Sequence, residues 1–259
     1  MSGAVAAIDV RELDLAAYCR RIGFAGTPAP TRECLDRLII DHASAIPFEN
    51  IEVLAHRVPK LDLAGLQDKL VRRRRGGYCF EQNTLFRAVL QAIGFDVRPM
   101  EARIRSGIPV DVVTARTHLA TRVVLDGVAH LVDVGCSTVA PLAPLPLASR
   151  DLQAAGSGFY RFVEVGDELL LQTRVAEVWT DCYQLMPSTP HTIDCEMGNW
   201  FVATYPKSML AHNLLLGRAI PGNQLRLCYG PVERPRPTQF AAPDKSGFFL
   251  EVWAKQPAK

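Results

Sequence analysis

The feature that most constrains the fold is Asp126-Gly127, which stands between apolar-rich runs at residues 118–125 and 128–135. Asp-Gly favours a two-residue hairpin turn, because both residues accept the positive φ angles that such a turn needs. The two runs are therefore predicted to form an antiparallel hairpin. Its register follows from the turn, because a two-residue loop decides which residues face each other across the strands.

This register selects one histidine of the hairpin as the partner of a carboxylate. Counting back from the turn sets Gly135 opposite His118 and leaves room for the ring. The same count places Asp133 on the face of His118, as its diagonal neighbour. Diagonal neighbours lie about 7–8 Å apart at the backbone, which an imidazole and a carboxylate can bridge. His130 falls on the other face, so it is excluded as the histidine that Asp133 orients.

A second segment, residues 75–83, brings a cysteine to the start of an amphipathic helix. Apolar residues recur at helical spacing after Cys79 until Gly94, a typical helix end. In the first turn, free N–H groups and the helix dipole favour a thiolate, which is the nucleophilic form of cysteine. Gly76-Gly77 is expected to allow a sharp turn and a close approach of a substrate. The alternative is that Cys79 is only a small buried apolar residue.

A reactive thiol needs a base, and the base needs a third group that orients it. Chemistry then assigns the roles: Cys79 attacks, and His118 takes its proton or holds it as an ion pair. Asp133 accepts a hydrogen bond from the other ring nitrogen and so fixes the tautomer. The hairpin does not by itself show that it lies beside Cys79. A strand histidine hydrogen-bonded at a sheet edge is the alternative for His118.

Four motifs resemble, in order and spacing, the signatures of the arylamine N-acetyltransferases. They are Ile46-Pro-Phe-Glu-Asn-Ile51, Arg75-Gly-Gly-Tyr-Cys-Phe-Glu-Gln-Asn83, Arg116-Thr-His118 and Leu131-Val-Asp-Val-Gly135. Together they cover about the first half of the chain and are more specific than any one of them. A weaker match at residues 194–201 resembles the segment that opens the third domain in that family.

The resemblance implies a papain-like triad carried by Cys79, His118 and Asp133 and used for acyl transfer rather than proteolysis. Acetyl-CoA would be the cosubstrate and would load Cys79 as a thioester. An arylamine, arylhydrazine or N-hydroxyarylamine would then take the acetyl group in a ping-pong scheme. Backbone N–H groups near the start of the Cys79 helix are candidates for holding the oxyanion. No metal is expected.

Further residues are expected around this site. Four are candidates for substrate binding: Phe48, Ile104, Gly135 and Cys136. Glu49 and Arg75 are expected to form a buried ion pair that supports the nucleophile loop, because a buried carboxylate needs a partner. Cys136-Ser137 departs from the family pattern of an aromatic residue and a glycine, which predicts a wider pocket. Plain core positions are the alternative for Phe48 and Ile104.

Composition is that of an ordinary globular enzyme, with a net charge of +2 that implies no nucleic-acid partner. The one basic run, residues 72–75, ends a predicted helix, where cations are expected from the dipole. The seven cysteines are an odd number without a Cys-x-x-Cys motif, which argues against disulfides and a zinc site. The absence of a long apolar run predicts a cytoplasmic protein without a membrane partner, as a monomer or homodimer.

Periodicity along the chain predicts an α+β fold in three parts. Residues 1–94 are predicted to form a helical bundle that carries the nucleophile, with Thr31 and Asp62 as helix caps. Residues 95–190 read as short alternating strands of an antiparallel β-barrel that carries the histidine and aspartate. Residues 191–259 mix a helix and strands as an α/β lid. The whole is a papain-like cysteine fold.

Four other functions remain open at this level. The third part is shorter than is usual in the family, which suggests an amide synthase or a thioester hydrolase of the same fold. A papain-like or transglutaminase-like cysteine hydrolase would use the same three residues. A binding module without catalysis would leave the arrangement of Cys79, His118 and Asp133 without a reason.

Overall fold

The computed structural model describes residues 8–109, 111–136, 140–156, 158–175, 177–220, 223–229 and 248–254. Over these ranges the chain has N-terminal helices, a nearly closed eight-stranded antiparallel barrel and a second sheet of four strands. The predicted α+β class is therefore confirmed. The division of the chain at residues 94 and 190 stays a prediction.

Five of the six α-helices in the described ranges come before the barrel strands, and the sixth comes after them. Six α-helices lie in the described ranges: α1 (Leu15–Ile22), α2 (Arg32–Ala45), α3 (Ile51–Leu54), α4 (Leu63–Leu66), α5 (Cys79–Ile93) and α6 (Thr192–Thr204). A π-helical segment, Gln67–Arg72, continues α4. Thr31 caps α2 and Asp62 caps α4 by accepting backbone hydrogen bonds, as predicted. None of the helices in the described ranges is long and apolar enough to cross a membrane.

The strands form two antiparallel sheets. They are β1 (Phe48–Glu49), β2 (Asp96–Ile104), β3 (Arg116–Leu125), β4 (Val128–Val132), β5 (Leu145–Pro146), β6 (Gln153–Ala155), β7 (Gly158–Val165), β8 (Glu168–Val175), β9 (Val178–Leu185), β10 (Leu214–Ile220), β11 (Asn223–Tyr229) and β12 (Phe248–Ala254). The barrel has the order β5-β4-β3-β2-β9-β8-β7-β6, and the second sheet has the order β1-β10-β11-β12. Strand β1 therefore ties the Ile46-Pro-Phe-Glu-Asn motif to the C-terminal sheet.

The β3–β4 hairpin has the predicted register. Leu125 pairs with Val128 across a two-residue turn. Asp126 has a φ of 50° and Gly127 a φ of 77°, as this kind of turn requires. The hairpin register is therefore confirmed where the two strands pair.

The ladder between β3 and β4 is shorter than the sequence predicts. Its last pair involves Val132, so Asp133 and Gly135 lie beyond the end of β4. His118 pairs instead with Ala102 of β2. The prediction that Gly135 lies opposite His118 in the ladder was wrong, because β4 leaves the sheet before it reaches that position.

Three clusters of buried apolar side chains form the core. The first packs the N-terminal helices and α5 against the start of the barrel, and the second fills the barrel interior. The third cluster is formed by Phe48, Tyr78, Cys79, Phe80, Leu119, Cys195, Val202 and Leu215. Because these residues come from all three parts of the chain, Cys79 lies where the helices, the barrel and the C-terminal segment meet.

Candidate active site

Cys79 is the first residue of α5, and Tyr78 precedes it as the extended N-cap residue. The thiol is buried against β3. Its Sγ lies 3.8 Å from the carbonyl oxygen of Thr117, and the thiol is one of the groups that raise the pKa of the His118 imidazole. The predicted position of Cys79 in the first turn of a helix is confirmed.

The two glycines before Cys79 make room for other parts of the protein. A Cβ at Gly76 would lie 2.2 Å from the carbonyl oxygen of Pro47. A Cβ at Gly77 would lie 2.9 Å from a carboxylate oxygen of Glu81. The clash with a backbone atom excludes a side chain at Gly76, and a side chain at Gly77 would displace the Glu81 carboxylate. Glycine is thus required because the loop packs closely on β1 and on α5, a reason that differs from the predicted approach of a substrate.

His118 and Asp133 form a buried pair. Nε2 of His118 lies 2.8 Å from Oδ2 of Asp133, and both side chains are almost fully excluded from solvent. Oδ1 of Asp133 accepts hydrogen bonds from Nδ2 of Asn83 at 2.9 Å and from the backbone N–H of Gly135 at 2.8 Å. Nδ1 is the ring nitrogen of His118 that remains for Cys79. The order of contacts is sulfur, imidazole and carboxylate.

The pair carries opposite charges at neutral pH. Burial by itself lowers the pKa of His118, but the charge and hydrogen bond of Asp133, with the hydrogen bond of Cys79, raise it to about 10. Burial also opposes ionisation of Asp133, but the charge of His118 and hydrogen bonds from His118, Asn83 and Gly135 lower its pKa below the usual value. His118 is therefore an imidazolium that faces the Cys79 sulfur.

Asn83, the last residue of the motif at residues 75–83, is a site residue whose function the sequence did not predict. Its Nδ2 donates to the carbonyl oxygen of Leu119 at 2.7 Å as well as to Asp133, and its Oδ1 accepts from the N–H of Val134 at 3.2 Å. The signal was available, because Asn83 follows Cys79 by four positions and so lies on the same face of the helix. Asn83 fixes the end of β4 against the nucleophile helix.

Replacing this amide by a carboxylate tests that function. Asn83→Asp puts a negative charge against Asp133 and the Leu119 carbonyl oxygen, so we expect the free energy of unfolding to fall by about 3 kcal/mol or more. Urea denaturation measures the change. Gln91→Glu makes the same chemical change at a less buried position of α5 and is expected to cost less than about 1 kcal/mol. Equal losses in the two variants would contradict a special role for Asn83.

Tyr183 and Cys136 lie on the barrel side of the pair. The Tyr183 ring is centred 4.7 Å from the His118 ring at an interplanar angle of 37°. The Cys136 sulfur lies within 4.8 Å of ligand atoms of His118 and Asp133, and such a set of three could hold a metal ion. A metal there would have to replace the hydrogen bond between His118 and Asp133. Nothing in the sequence marks Tyr183 as a neighbour of the histidine.

The predicted pocket residues lie in two adjoining regions. Phe48 belongs to the buried cluster that contains Cys79. Ile104 and Cys136 are partly buried and pack against the cluster of the barrel interior. Ser137, which follows Cys136, is outside the described residues. The structure therefore divides the candidates between the buried cluster that contains the thiol and the barrel interior.

Gly135 packs on the nucleophile. A Cβ at this position would lie 2.7 Å from the Cα of Cys79 and 2.5 Å from Nδ2 of Asn83. Glycine therefore lets the chain after β4 close on the start of α5. The sequence predicted that Gly135 leaves room for the His118 ring. The structure corrects this, because the residue that Gly135 contacts is Cys79.

The ion pair between Glu49 and Arg75 is present. Nη2 of Arg75 lies 2.6 Å from Oε1 of Glu49, and the carboxylate is almost fully buried. The other carboxylate oxygen accepts the N–H of Ile51 at 2.7 Å. The pair joins β1 to the loop that precedes Cys79.

Comparison with known proteins agrees with this geometry. A family model described as N-acetyltransferase matches residues 31–231. The arylamine N-acetyltransferase of Escherichia coli K12 is 36% identical over 81% of this chain and 75% of its own length. The arylamine N-acetyltransferase / N-hydroxyarylamine O-acetyltransferase of Salmonella typhimurium is 37% identical over 82% of this chain and 76% of its own length.

Solved structures show the same architecture. The Salmonella typhimurium arylamine N-acetyltransferase superposes with a TM-score of 0.79 at 37% identity, over 83% of this chain and 78% of that one. The Mycobacterium marinum arylamine N-acetyltransferase in complex with CoA superposes with a TM-score of 0.80 at 32% identity, over 92% of this chain and 86% of that one. The match in sequence and in fold covers most of this chain and most of each of these relatives. This chain belongs to the arylamine N-acetyltransferase family.

Proposed function

We propose that this chain transfers an acetyl group from acetyl-CoA to the nitrogen of an arylamine, arylhydrazine or N-hydroxyarylamine, by a ping-pong mechanism through a thioester on Cys79. The observation that carries the proposal is the buried contact series from Cys79 through His118 to Asp133 in a member of this family. Cosubstrate and acceptor class follow from the relatives, one of which binds CoA.

In the first half-reaction the Cys79 thiolate attacks the carbonyl carbon of acetyl-CoA. The imidazolium of His118 stabilises the thiolate before the attack and donates its proton to the sulfur of coenzyme A as that sulfur leaves. Asp133 remains ionised throughout and keeps the ring oriented. The products are the acetylated Cys79, neutral His118 and free coenzyme A.

In the second half-reaction the amine nitrogen attacks the thioester. Neutral His118 takes the proton that the nitrogen loses, and the Cys79 sulfur leaves as a thiolate. The imidazolium and thiolate are thereby restored. Backbone N–H groups in the first turn of α5 are suited to hold the oxyanion of both steps, because the first N–H groups of a helix have no acceptor within it.

Phe48, Ile104, Gly135 and Cys136 are proposed to contribute to the acceptor pocket. Phe48 supplies an aromatic wall next to the thiol, and Ile104 and Cys136 supply the barrel side. We further propose that the Glu49–Arg75 ion pair holds the loop in front of the nucleophile. The protein is expected to act in the cytoplasm as a monomer or homodimer on small molecules, without a nucleic-acid or membrane partner.

Release of coenzyme A with and without an arylamine tests the proposal. Without an amine we expect one coenzyme A per protein molecule in a rapid burst and then little further release. With an amine we expect continuous turnover. Plots of the reciprocal initial rate against the reciprocal acetyl-CoA concentration, at several amine concentrations, should give parallel lines, as a ping-pong scheme requires.

Three outcomes, one from this assay and two from parallel assays with a peptide or a carrier-bound acyl chain, would overturn the proposal in favour of another function. Continuous release of coenzyme A at the same rate without amine would indicate a thioester hydrolase. Cleavage of a peptide substrate, with no release of coenzyme A, would indicate a papain-like hydrolase. If carrier-bound acyl chains react and acetyl-CoA does not, the chain is an amide synthase.

A further inference from the structure

A group of three charged side chains, two of them buried, lies at the start of the nucleophile helix. Nζ of Lys69 lies 2.8 Å from Oε1 of Glu81 and 3.3 Å from Oε2 of Glu52. Only 8% of the Lys69 side chain and 1% of the Glu81 side chain are exposed. Charged side chains are rarely this well buried, and a buried ion pair adds little to stability by itself. The pair therefore calls for a functional explanation.

Glu81 connects this group to the residue in front of the nucleophile. It is the third residue of α5, and its Oε2 accepts the backbone N–H of Tyr78 at 3.1 Å. Tyr78 is the N-cap residue, and Cys79 follows it directly. The carboxylate thus bonds Lys69 with one oxygen and the start of the helix with the other.

We propose that Lys69 and Glu81 are positioning residues for the Cys79 nucleophile. Lys69 holds the Glu81 carboxylate, and the carboxylate holds the Tyr78 amide and with it the first turn of α5. The position of the Cys79 sulfur relative to His118 depends on this turn. The inference rests on the function proposed for Cys79. It adds two residues, outside the three that react, that determine the position of the Cys79 sulfur.

The charges around Glu81 make this arrangement sensitive to pH. The groups that face it are Lys69 from the π-helical segment, Glu52 from α3 and the Tyr78 N–H. Burial raises the pKa of Glu81 to about 7, against the opposing effect of Lys69. A protonated Glu81 holds the amide less strongly, because hydrogen bonds to ionised acceptors are the stronger ones.

The first experiment needs no variant. The amide ¹⁵N and ¹H chemical shifts of Tyr78 are followed by NMR as a function of pH in the wild-type protein. We expect a titration with a midpoint near 7, because the amide donates to the carboxylate that titrates. If these shifts show no step between about pH 5 and about pH 9, the proposal is overturned.

The second experiment measures the rate constant of Cys79 alkylation by iodoacetamide across the same pH range, with the modified cysteine assigned by peptide mass. In the wild type we expect a step near neutral pH, with a rate about fivefold lower on the acid side, as for exchange of a charged for a neutral hydrogen bond. Glu81→Gln should lack this step. Lys69→Met should move it to higher pH, and Lys69→Arg should restore it.

Leu66→Ala is the matched control, because it removes a buried side chain of the preceding helix without changing any charge. It should lower the stability and leave the step in place. A step that persists in Glu81→Gln would mean that another group causes it, and a step that moves in Leu66→Ala would mean that it reports stability alone. Either outcome would overturn the proposal. Alkylation requires neither acetyl-CoA nor an amine, so its outcome is independent of whether the chain proves to be an acetyltransferase.

Discussion

Brief exposure of the purified protein to acetyl-CoA is expected to raise its intact mass by one acetyl group, and Cys79→Ala is expected to show no gain. The reason is that Cys79 is the first residue of α5 and lies beside the His118–Asp133 pair, which places it as the nucleophile of the proposed mechanism. In Cys79→Ala we expect acetyl transfer to an arylamine to fall by about 10⁴-fold or more. Removal of the added group by hydroxylamine would identify it as a thioester.

The control for this measurement is Cys19→Ala, which removes a partly buried thiol of α1. It is expected to take up the acetyl group at the wild-type rate. Acetylation of Cys79→Ala at the wild-type rate would mean that another group is the nucleophile, and the proposed mechanism would then be wrong. The experiment tests donor and nucleophile together, because a protein that does not react with acetyl-CoA shows no gain in either form.

The parts of the fold that sequence reasoning predicted are those that local rules decide. The Asp126-Gly127 turn sets the register of β3 and β4, and the caps and Gly94 set the bounds of helices. The pairing of His118 with Asp133 was also predicted, although the side chains meet beyond the end of the ladder. The hairpin register predicted that the two residues lie close together, and hydrogen bonds from Asn83 and Gly135 hold Asp133 beside the ring after β4 has ended.

Other features could not be predicted because they depend on how distant segments pack. Strands β1 and β5 have two residues each, too few to show an alternating pattern. The contact of Tyr183 with His118 spans three strands, β9, β2 and β3, and has no local signal. Gly76 and Gly135 can be identified as glycines required for close packing only once Pro47 and Cys79 are seen against them.

Asp133→Asn is expected to lower kcat/KM for acetyl transfer by about 10³-fold to 10⁴-fold while the fold is retained. Asparagine has the shape of the carboxylate but lacks the charge that holds His118 as an imidazolium. Burial then dominates and lowers the pKa of His118, so the ring is neutral at pH 7 and no longer stabilises the thiolate. Steady-state kinetics measure the loss. Asp126→Asn makes the same change at the exposed hairpin turn, where asparagine tolerates positive φ, and should keep activity within about twofold.

The same variant should change how stability depends on pH. The pKa of His118 is raised from 6.5 to about 10 in the folded protein, so its stabilising contribution is complete below pH 6.5 and is lost as the pH rises through about 10. Removing the Asp133 charge removes most of that contribution. Urea denaturation at several pH values should therefore show a smaller loss of unfolding free energy between about pH 6.5 and about pH 10 in Asp133→Asn than in the wild type. Identical pH profiles for the two proteins would mean that Asp133 does not hold His118 as an imidazolium, and the proton transfers assigned to His118 would have to be revised.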